Sequence, residues 1–290
     1  MKHFKTYYAQ TSPFGQVLLL LLTGFITYSF LSMGIALILQ SYDNTIPTLS
    51  SVAFADKHPV LFMLQHFIPL QVGFLFTPGL LFLILSKDKI IKKKEARITL
   101  SIIERILLLV LALSTFLLLP LLSEMNLSIL RALNVEEALI AQKEASDALL
   151  QQLLTTHSGF LFGLFTIAII TGISEEFAFR GFMFNHIFRT TRKPLLSIVI
   201  TAFIFALLHF NYLQFIPLFV FGAILTMIYF ITRQLWLVIL LHVLNNGFNV
   251  WWLSTATFPN WMENIYLETT IPSTLLFMGL LYYFRKKLID

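Results

Sequence analysis

The chain has 290 residues, of which 57% are hydrophobic and 12% are charged, and it contains no cysteine. A soluble domain carries about twice that share of charged residues, so the composition excludes an ordinary soluble protein. It also excludes disulfides and thiol chemistry. The formal net charge of +5 could suit nucleic acid, but the positions of the basic residues indicate membrane topology instead.

Long apolar runs recur along the whole chain. In a bilayer such runs form helices or a closed barrel, and continuous rather than alternating hydrophobicity indicates helices. We therefore predict an all-α, polytopic membrane bundle with eight transmembrane helices. The predicted spans are, approximately, residues 15–40, 60–86, 99–122, 158–187, 195–210, 213–232, 235–253 and 270–284.

The basic residues predict the orientation of these spans. If the N-terminus is cytoplasmic, most of the 20 Lys and Arg residues fall on the inner side, as the positive-inside rule requires. Both termini are then cytoplasmic, and the cell (inner) membrane is the expected location. The basic residues would contact anionic membrane lipid, so lipid is an expected partner and nucleic acid is not.

An external segment is predicted between the third and fourth spans. Over residues 124–156, Leu and Ala recur at steps of three and four with acidic residues among them. This pattern predicts an amphipathic helix lying on the outer surface, with a partner-binding arm as the alternative. The chain would thus divide into residues 1–156, with three spans and this helix, and a core over residues 157–290.

The fourth predicted span contains GISEEFAFRG, residues 172–181. Each charge inside a membrane costs at least about 2.5 kcal/mol. Glu176 and Arg180 are four residues apart in the favourable order for a helical ion pair, whereas Glu175 points about 100° away. We therefore predict a structural Glu176 paired with Arg180 and a Glu175 available for chemistry. A polar packing cluster or a transport-path carboxylate is the alternative.

Two later spans carry polar pairs one helical turn apart. Phe205 and His209 occur in FALLH, and His242 and Asn246 occur in HVLNN. At a rise of about 1.5 Å per residue, these side chains can reach the depth of Glu175 within the membrane.

Such a constellation suits hydrolysis by water. A glutamate can take a proton from water while a histidine shares that role, and a histidine with an amide can donate hydrogen bonds to an oxyanion. No serine, threonine or cysteine on these spans has a basic side chain at a diagnostic helical offset, so a covalent nucleophile fits less well than water. Asn245 and Asn249 flank the same face, and we interpret them as packing or supporting groups.

The three segments resemble a known family. EEFAFRG, FALLH and HVLNN match, in order, the EExxxR, FxxxH and HxxxN motifs of the CPBP intramembrane proteases, which include the type II CAAX prenyl endopeptidases and bacteriocin-processing relatives. The resemblance covers about residues 157–250 and has no departure at the motif positions. It implies an all-helical membrane endopeptidase that cleaves a peptide or protein within or next to the membrane.

The resemblance also implies a role for each motif residue. The roles are water activation by Glu175 and His209, oxyanion stabilisation by His242 and Asn246, and completion of the first motif by Glu176 and Arg180.

Three alternatives stay open at this point. Glu175, His209 and His242 could form a zinc site, although HExxH is absent and we favour metal-independent catalysis without a cofactor. The chain could be a non-catalytic membrane scaffold or a regulator of a membrane partner. A transporter with a proton relay is a third possibility, which the lack of internal repeats disfavours.

Overall fold

The computed structural model describes residues 11–42, 58–85, 101–255 and 272–284. Within these ranges every regular element is a helix and no strand occurs, which confirms the all-α class. Five of the described helices are long and apolar enough to cross a membrane, and two shorter apolar helices accompany them. The multi-pass architecture is therefore confirmed, whereas eight spans and cytoplasmic termini stay predictions.

We number the helices in chain order. They are α1 (Pro13–Tyr42), α2 (Pro59–Leu85), α3 (Ile102–Ala132), α4 (Glu136–Leu154), α5 (His157–Thr191), α6 (Pro194–Leu208), α7 (Phe215–Thr232), α8 (Leu235–Ser254) and α9 (Pro272–Phe284).

These helices belong to two compact units. The first contains α1, α2, the end of α4, most of α5, and α8; the second contains α3, the start of α4, the end of α5, and α6, α7 and α9. The predicted division near residue 156 stays a prediction.

The third predicted span is part of a longer helix than expected. Ser101 and Glu104 form a capping box that starts α3, because each side chain accepts a hydrogen bond from the other residue's backbone N–H, at 3.2 and 2.8 Å. Such a box satisfies two N–H groups that the first turn leaves unpaired. The helix then continues to Ala132, and Asn134 follows in a left-handed conformation (φ 55°). The predicted bounds 124–156 are therefore wrong, since the chain turns near Asn134 and α4 begins at Glu136.

Two glycines bring the helices of the first unit close together. A Cβ on Gly79 of α2 would lie 2.7 Å from the Phe177 carbonyl oxygen of α5, and a Cβ on Gly172 of α5 would lie 2.8 Å from Val243 Cγ2 of α8. Small residues permit such close approach between membrane helices. As a result α8, which carries the HVLNN motif, packs directly on the part of α5 that carries EEFAFRG.

Helix α5 is not a regular α-helix. Two π-helical segments, Leu164–Ile170 and Phe177–Phe184, flank the short α-helical stretch Thr171–Glu176. A π turn shifts the backbone hydrogen-bond pattern and occurs frequently at functional sites. Side chains bond carbonyls in both segments: Thr171 Oγ1 donates to Thr166 O at 3.0 Å, and Asn185 Nδ2 donates to Arg180 O at 2.7 Å. The two motif glutamates therefore end the α-helical stretch between two widened turns.

Candidate active site

The structure brings together six of the predicted site residues in the first unit. Three of them come from α5 and three from α8: Glu175, Glu176, Arg180, His242, Asn245 and Asn246. The ionisable members are almost completely buried, with an exposed fraction of 0% for Glu176 and Arg180, 2% for His242 and 6% for Glu175. Buried ionisable groups in a membrane protein require partners, and the contacts between these side chains supply them.

The predicted ion pair is present. Arg180 Nη1 lies 2.6 Å from Glu176 Oε1 and donates a hydrogen bond to it. The pair spans one helical turn, as the sequence offset requires. Two opposite charges in contact reduce the cost of burying each of them, so the pair can persist inside the protein.

His242 links the two glutamates. Its Nδ1 lies 2.7 Å from Glu176 Oε1, the oxygen that also accepts from Arg180, and its Nε2 lies 3.6 Å from Glu175 Oε2. The Glu176 carboxylate can only accept hydrogen bonds, so Nδ1 of His242 must be the donor and carries the hydrogen. In the neutral ring Nε2 then carries the lone pair, and Nε2 can donate only when the ring is doubly protonated.

This link was not predicted from the sequence. His242 and Glu176 are 66 residues apart, and no periodic pattern relates two side chains on separate helices. The prediction that Glu176 is structural is compatible with its contact to Arg180, but the structure adds a second contact, to the histidine assigned to the oxyanion. The role of each residue stays a prediction.

Asn246 is held against the first π-helical segment. Its Nδ2 donates to Ile167 O at 3.2 Å, and its Oδ1 accepts from Asn245 Nδ2 at 3.0 Å. These two bonds fix the orientation of the amide, and Nδ2 has a second hydrogen that can be donated. Asn245 therefore contacts Asn246 as a supporting group would, whereas Asn249 is exposed.

The FxxxH motif lies in the second unit, at the end of α6. His209 follows the last residue of the helix, and its Nδ1 lies 2.7 Å from the Phe205 carbonyl oxygen. Since a carbonyl only accepts, Nδ1 carries the hydrogen and Nε2 of the neutral ring carries the lone pair. The Phe205 ring packs against the imidazole, with 4.5 Å between centroids. His209 thus has the tautomer that a general base needs at Nε2.

A metal site was the alternative for three of these residues. In the parts of the chain that the structure describes, no three His, Cys, Asp or Glu side chains are grouped in a way that could hold a metal ion. Both the zinc site of Glu175, His209 and His242 and the metal-independent mechanism stay predictions.

Comparison with known proteins identifies the region that contains all three motifs. Residues 157–248 match the family described as type II CAAX prenyl endopeptidase Rce1-like. The chain is also 33% identical over 93 residues to the membrane-embedded CAAX protease MroQ of Staphylococcus aureus (strain USA300). The aligned region covers 30% of this chain and 37% of that protein. The chain therefore spans well under half the length of that relative. No solved structure is matched.

Proposed function

We propose, from the match of residues 157–248 to the family described as type II CAAX prenyl endopeptidase Rce1-like, that the protein is an intramembrane endopeptidase. It would hydrolyse a peptide bond of a peptide or protein within or next to the membrane, with water as the nucleophile. The observation that carries the proposal is the position of His242, with its two nitrogens 2.7 Å from Glu176 and 3.6 Å from Glu175 in the buried interior of the unit. Ionisable groups at such depth are costly and mark functional sites.

The first step assigns Glu175 as the general base. Its carboxylate takes a proton from water as the water oxygen attacks the carbonyl carbon of the scissile bond, and the C=O electron pair moves to the carbonyl oxygen. The resemblance to the family gives His209 a share in this activation, for which the lone pair on Nε2 is suitable. The product of this step is a tetrahedral oxyanion.

The second step assigns His242 and Asn246 as donors to that oxyanion. The doubly protonated His242 ring can donate from Nε2, and Asn246 can donate its second Nδ2 hydrogen. Collapse of the intermediate breaks the C–N bond, and the proton held by Glu175 passes to the leaving nitrogen. The products are a free carboxyl group and a free amine, so atoms and charge balance.

Glu176 and Arg180 are assigned to positioning. Arg180 holds Glu176 at 2.6 Å, and Glu176 holds Nδ1 of His242 at 2.7 Å. This chain of contacts fixes the ring orientation and keeps the hydrogen on Nδ1, so Nε2 is the ring nitrogen on the side of Glu175. A carboxylate that orients a functional histidine through its second nitrogen is a recurrent arrangement in enzymes.

The matched family and the similar protein MroQ suggest a first substrate. The family is described as a CAAX prenyl endopeptidase and MroQ as a CAAX protease, so a prenylated peptide ending in CAAX is the first to test. Leader peptides and signalling peptides of membrane-associated precursors are the next. In all of these substrates the scissile bond would be presented by a segment anchored at the membrane.

The test incubates the substrate, first a prenylated peptide ending in CAAX, with purified wild-type protein or with the Glu175→Gln variant, and compares the peptides that are released. We expect cleavage products that are present with the wild type and absent with the variant. Glu124→Gln is the matched control, because Glu124 is an exposed glutamate whose side chain is 70% accessible, and it should cleave as the wild type does. Full activity in Glu175→Gln or in His209→Ala would contradict the mechanism.

A chelator separates the two mechanisms on any substrate found. The metal-independent mechanism predicts unchanged turnover after exhaustive treatment with EDTA and 1,10-phenanthroline. Loss of turnover that zinc restores would instead support the zinc site. If Glu175→Ala complements a deletion strain at normal protein level, the protein acts as a scaffold and the proposal fails.

A further inference from the structure

His209 stands at the first position of the connection between α6 and α7. Helix α6 ends at Leu208, and Phe210 adopts a left-handed conformation with φ 50°. A bulky residue with positive φ is strained, and it persists where surrounding contacts determine the backbone. The connection then forms the 3-10 turn Tyr212–Gln214 before α7 begins at Phe215.

Asn126 of α3 holds this connection from outside the motif region. Its Nδ2 donates to the Tyr212 carbonyl oxygen at 2.8 Å, and its Oδ1 accepts from the Ile216 N–H at 3.1 Å. The side chain is only 4% exposed. Both polar ends of one buried amide are thus used on two backbone groups, 86 and 90 residues away in sequence.

The bond to Ile216 replaces a local helix cap. Ile216 lies in the first turn of α7, where backbone N–H groups have no partner within the helix. The residue that precedes α7, Gln214, makes no capping hydrogen bond with its side chain. Asn126 therefore satisfies one N–H group at the start of α7 and, through Tyr212, holds the connection three residues after His209.

We propose that Asn126 is a positioning residue for His209, acting through the α6–α7 connection. It rests on the proposed function for its catalytic meaning, because His209 shares water activation there. With both hydrogen bonds present, the strained Phe210 backbone is held and the imidazole keeps one orientation at the end of α6. Without them, the connection opens locally and Nε2 of His209 samples several positions.

The first readout needs no substrate. Diethyl pyrocarbonate modifies unprotonated imidazole, and mass spectrometry of the peptides gives the rate at each histidine. In Asn126→Leu the two hydrogen bonds are lost and the connection opens, so the modification rate at His209 should rise by about fivefold. The exposed His66 and His157 should keep their wild-type rates. Asn126→Gln retains a donor and an acceptor, so its rate should lie between those of the wild type and Asn126→Leu.

Ser128→Ala is the matched control on the same helix. Ser128 is exposed and its hydroxyl donates to the Glu124 carbonyl oxygen of its own helix at 2.8 Å, so His209 should react at the wild-type rate. If Asn126→Leu does not accumulate as folded protein, Asn126→Ala takes its place. Wild-type reactivity of His209 in the folded Asn126 variant would overturn the proposal and leave Asn126 with a stabilising role alone.

The second readout is turnover of a substrate found by the peptide comparison. A misplaced base lowers the rate of the chemical step, so kcat should fall by about tenfold or more in the Asn126→Leu variant, while KM stays close to the wild-type value. A raised KM with an unchanged kcat would contradict positioning. If the wild type cleaves nothing, the proposed function fails, and the reactivity of His209 still decides whether Asn126 positions it.

Discussion

The two histidines of the predicted catalytic set are held in contrasting ways. In the first unit, His242 Nδ1 bonds to Glu176, which also binds Arg180. In the second unit, His209 follows α6, and its Nδ1 bonds to the carbonyl of Phe205 in the last turn of that helix. Both arrangements place the lone pair of the neutral ring on Nε2, but one uses a network of buried charges and the other uses a neutral local contact.

This difference separates two costs of positioning a histidine. A buried charged network requires each member, because the loss of one partner leaves another charge uncompensated in a medium of low dielectric. A carbonyl acceptor leaves no charge behind when the histidine is removed, and only a hydrogen bond is lost. Substitutions in the His242 network should therefore lower the free energy of unfolding more than substitution of His209 does.

The largest effect is expected for Arg180→Met. The substitution leaves Glu176 as a buried carboxylate without its guanidinium partner, so the free energy of unfolding should fall by about 3–5 kcal/mol. The measurement is reversible unfolding in detergent micelles. Arg131→Met is the matched control, because the Arg131 side chain is 57% exposed and lies 4.0 Å from Glu124; its effect should stay within about 0.5 kcal/mol.

A double substitution tests whether the charges act as a network. Glu176→Gln combined with Arg180→Met removes both members of the pair, so the loss of stability should be smaller than the sum of the two single losses. Additive losses would show that the two side chains stabilise the protein independently, contrary to the contact at 2.6 Å.

The next effect compares the histidines directly. His242→Ala removes a donor to a carboxylate, so the free energy of unfolding should fall by about 1.5–3 kcal/mol. His209 is half-buried, and His209→Ala removes a donor to the neutral Phe205 carbonyl, so the loss should be about 0.5–1.5 kcal/mol. Unfolding of both variants under one set of conditions checks the order. Equal losses would remove the distinction between the charged and the neutral arrangement.

The sequence predicted those parts of the site that depend on one helix. The Glu176–Arg180 pair follows from an offset of four residues, which about one turn of a single helix brings into contact. The Phe205–His209 contact has the same local origin. The helical class and the multi-pass character followed equally from composition and continuous apolar runs, because the bilayer permits few other structures.

The parts that were missed depend on tertiary packing. No pattern in the sequence relates His242 to Glu176, or Asn126 to Tyr212, since these partners are 66 and 86 residues apart. The π-helical segments of α5 are equally hidden, because their residues have ordinary helical patterns. The bounds of the external helix were wrong because Glu124 was interpreted as the start of a new element, although nothing there interrupts a helix that ends at Ala132.

A smaller effect is expected where α5 and α8 approach closely. Gly172→Ala places a methyl group 2.8 Å from Val243 Cγ2 and 3.2 Å from the Val243 backbone nitrogen. The neighbouring residue His242 would shift with Val243, so the free energy of unfolding should fall by about 1–3 kcal/mol and turnover should fall with it.

The control for this substitution is Gly34→Ala. A Cβ at Gly34 meets nothing within 4 Å, and alanine is the better helix former by up to about 1 kcal/mol, so stability should be unchanged or raised. A Gly172→Ala variant as stable and as active as the wild type would show that α8 can move away from α5 without loss of the site.

The smallest effect concerns the two asparagines of α8. Asn246 donates to Ile167 O at 3.2 Å, whereas Asn249, less than one turn further along, is exposed. Asn246→Ala should therefore lower the free energy of unfolding by about 0.5–1.5 kcal/mol, and Asn249→Ala should change it by less. The same pair sharpens the assignment of the oxyanion donors, because only Asn246→Ala should lower kcat, by about 10²-fold for one lost donor. An Asn246→Ala variant with wild-type kcat and reduced stability would assign the amide to packing against the π-helical segment, and His242 would then be the donor on α8.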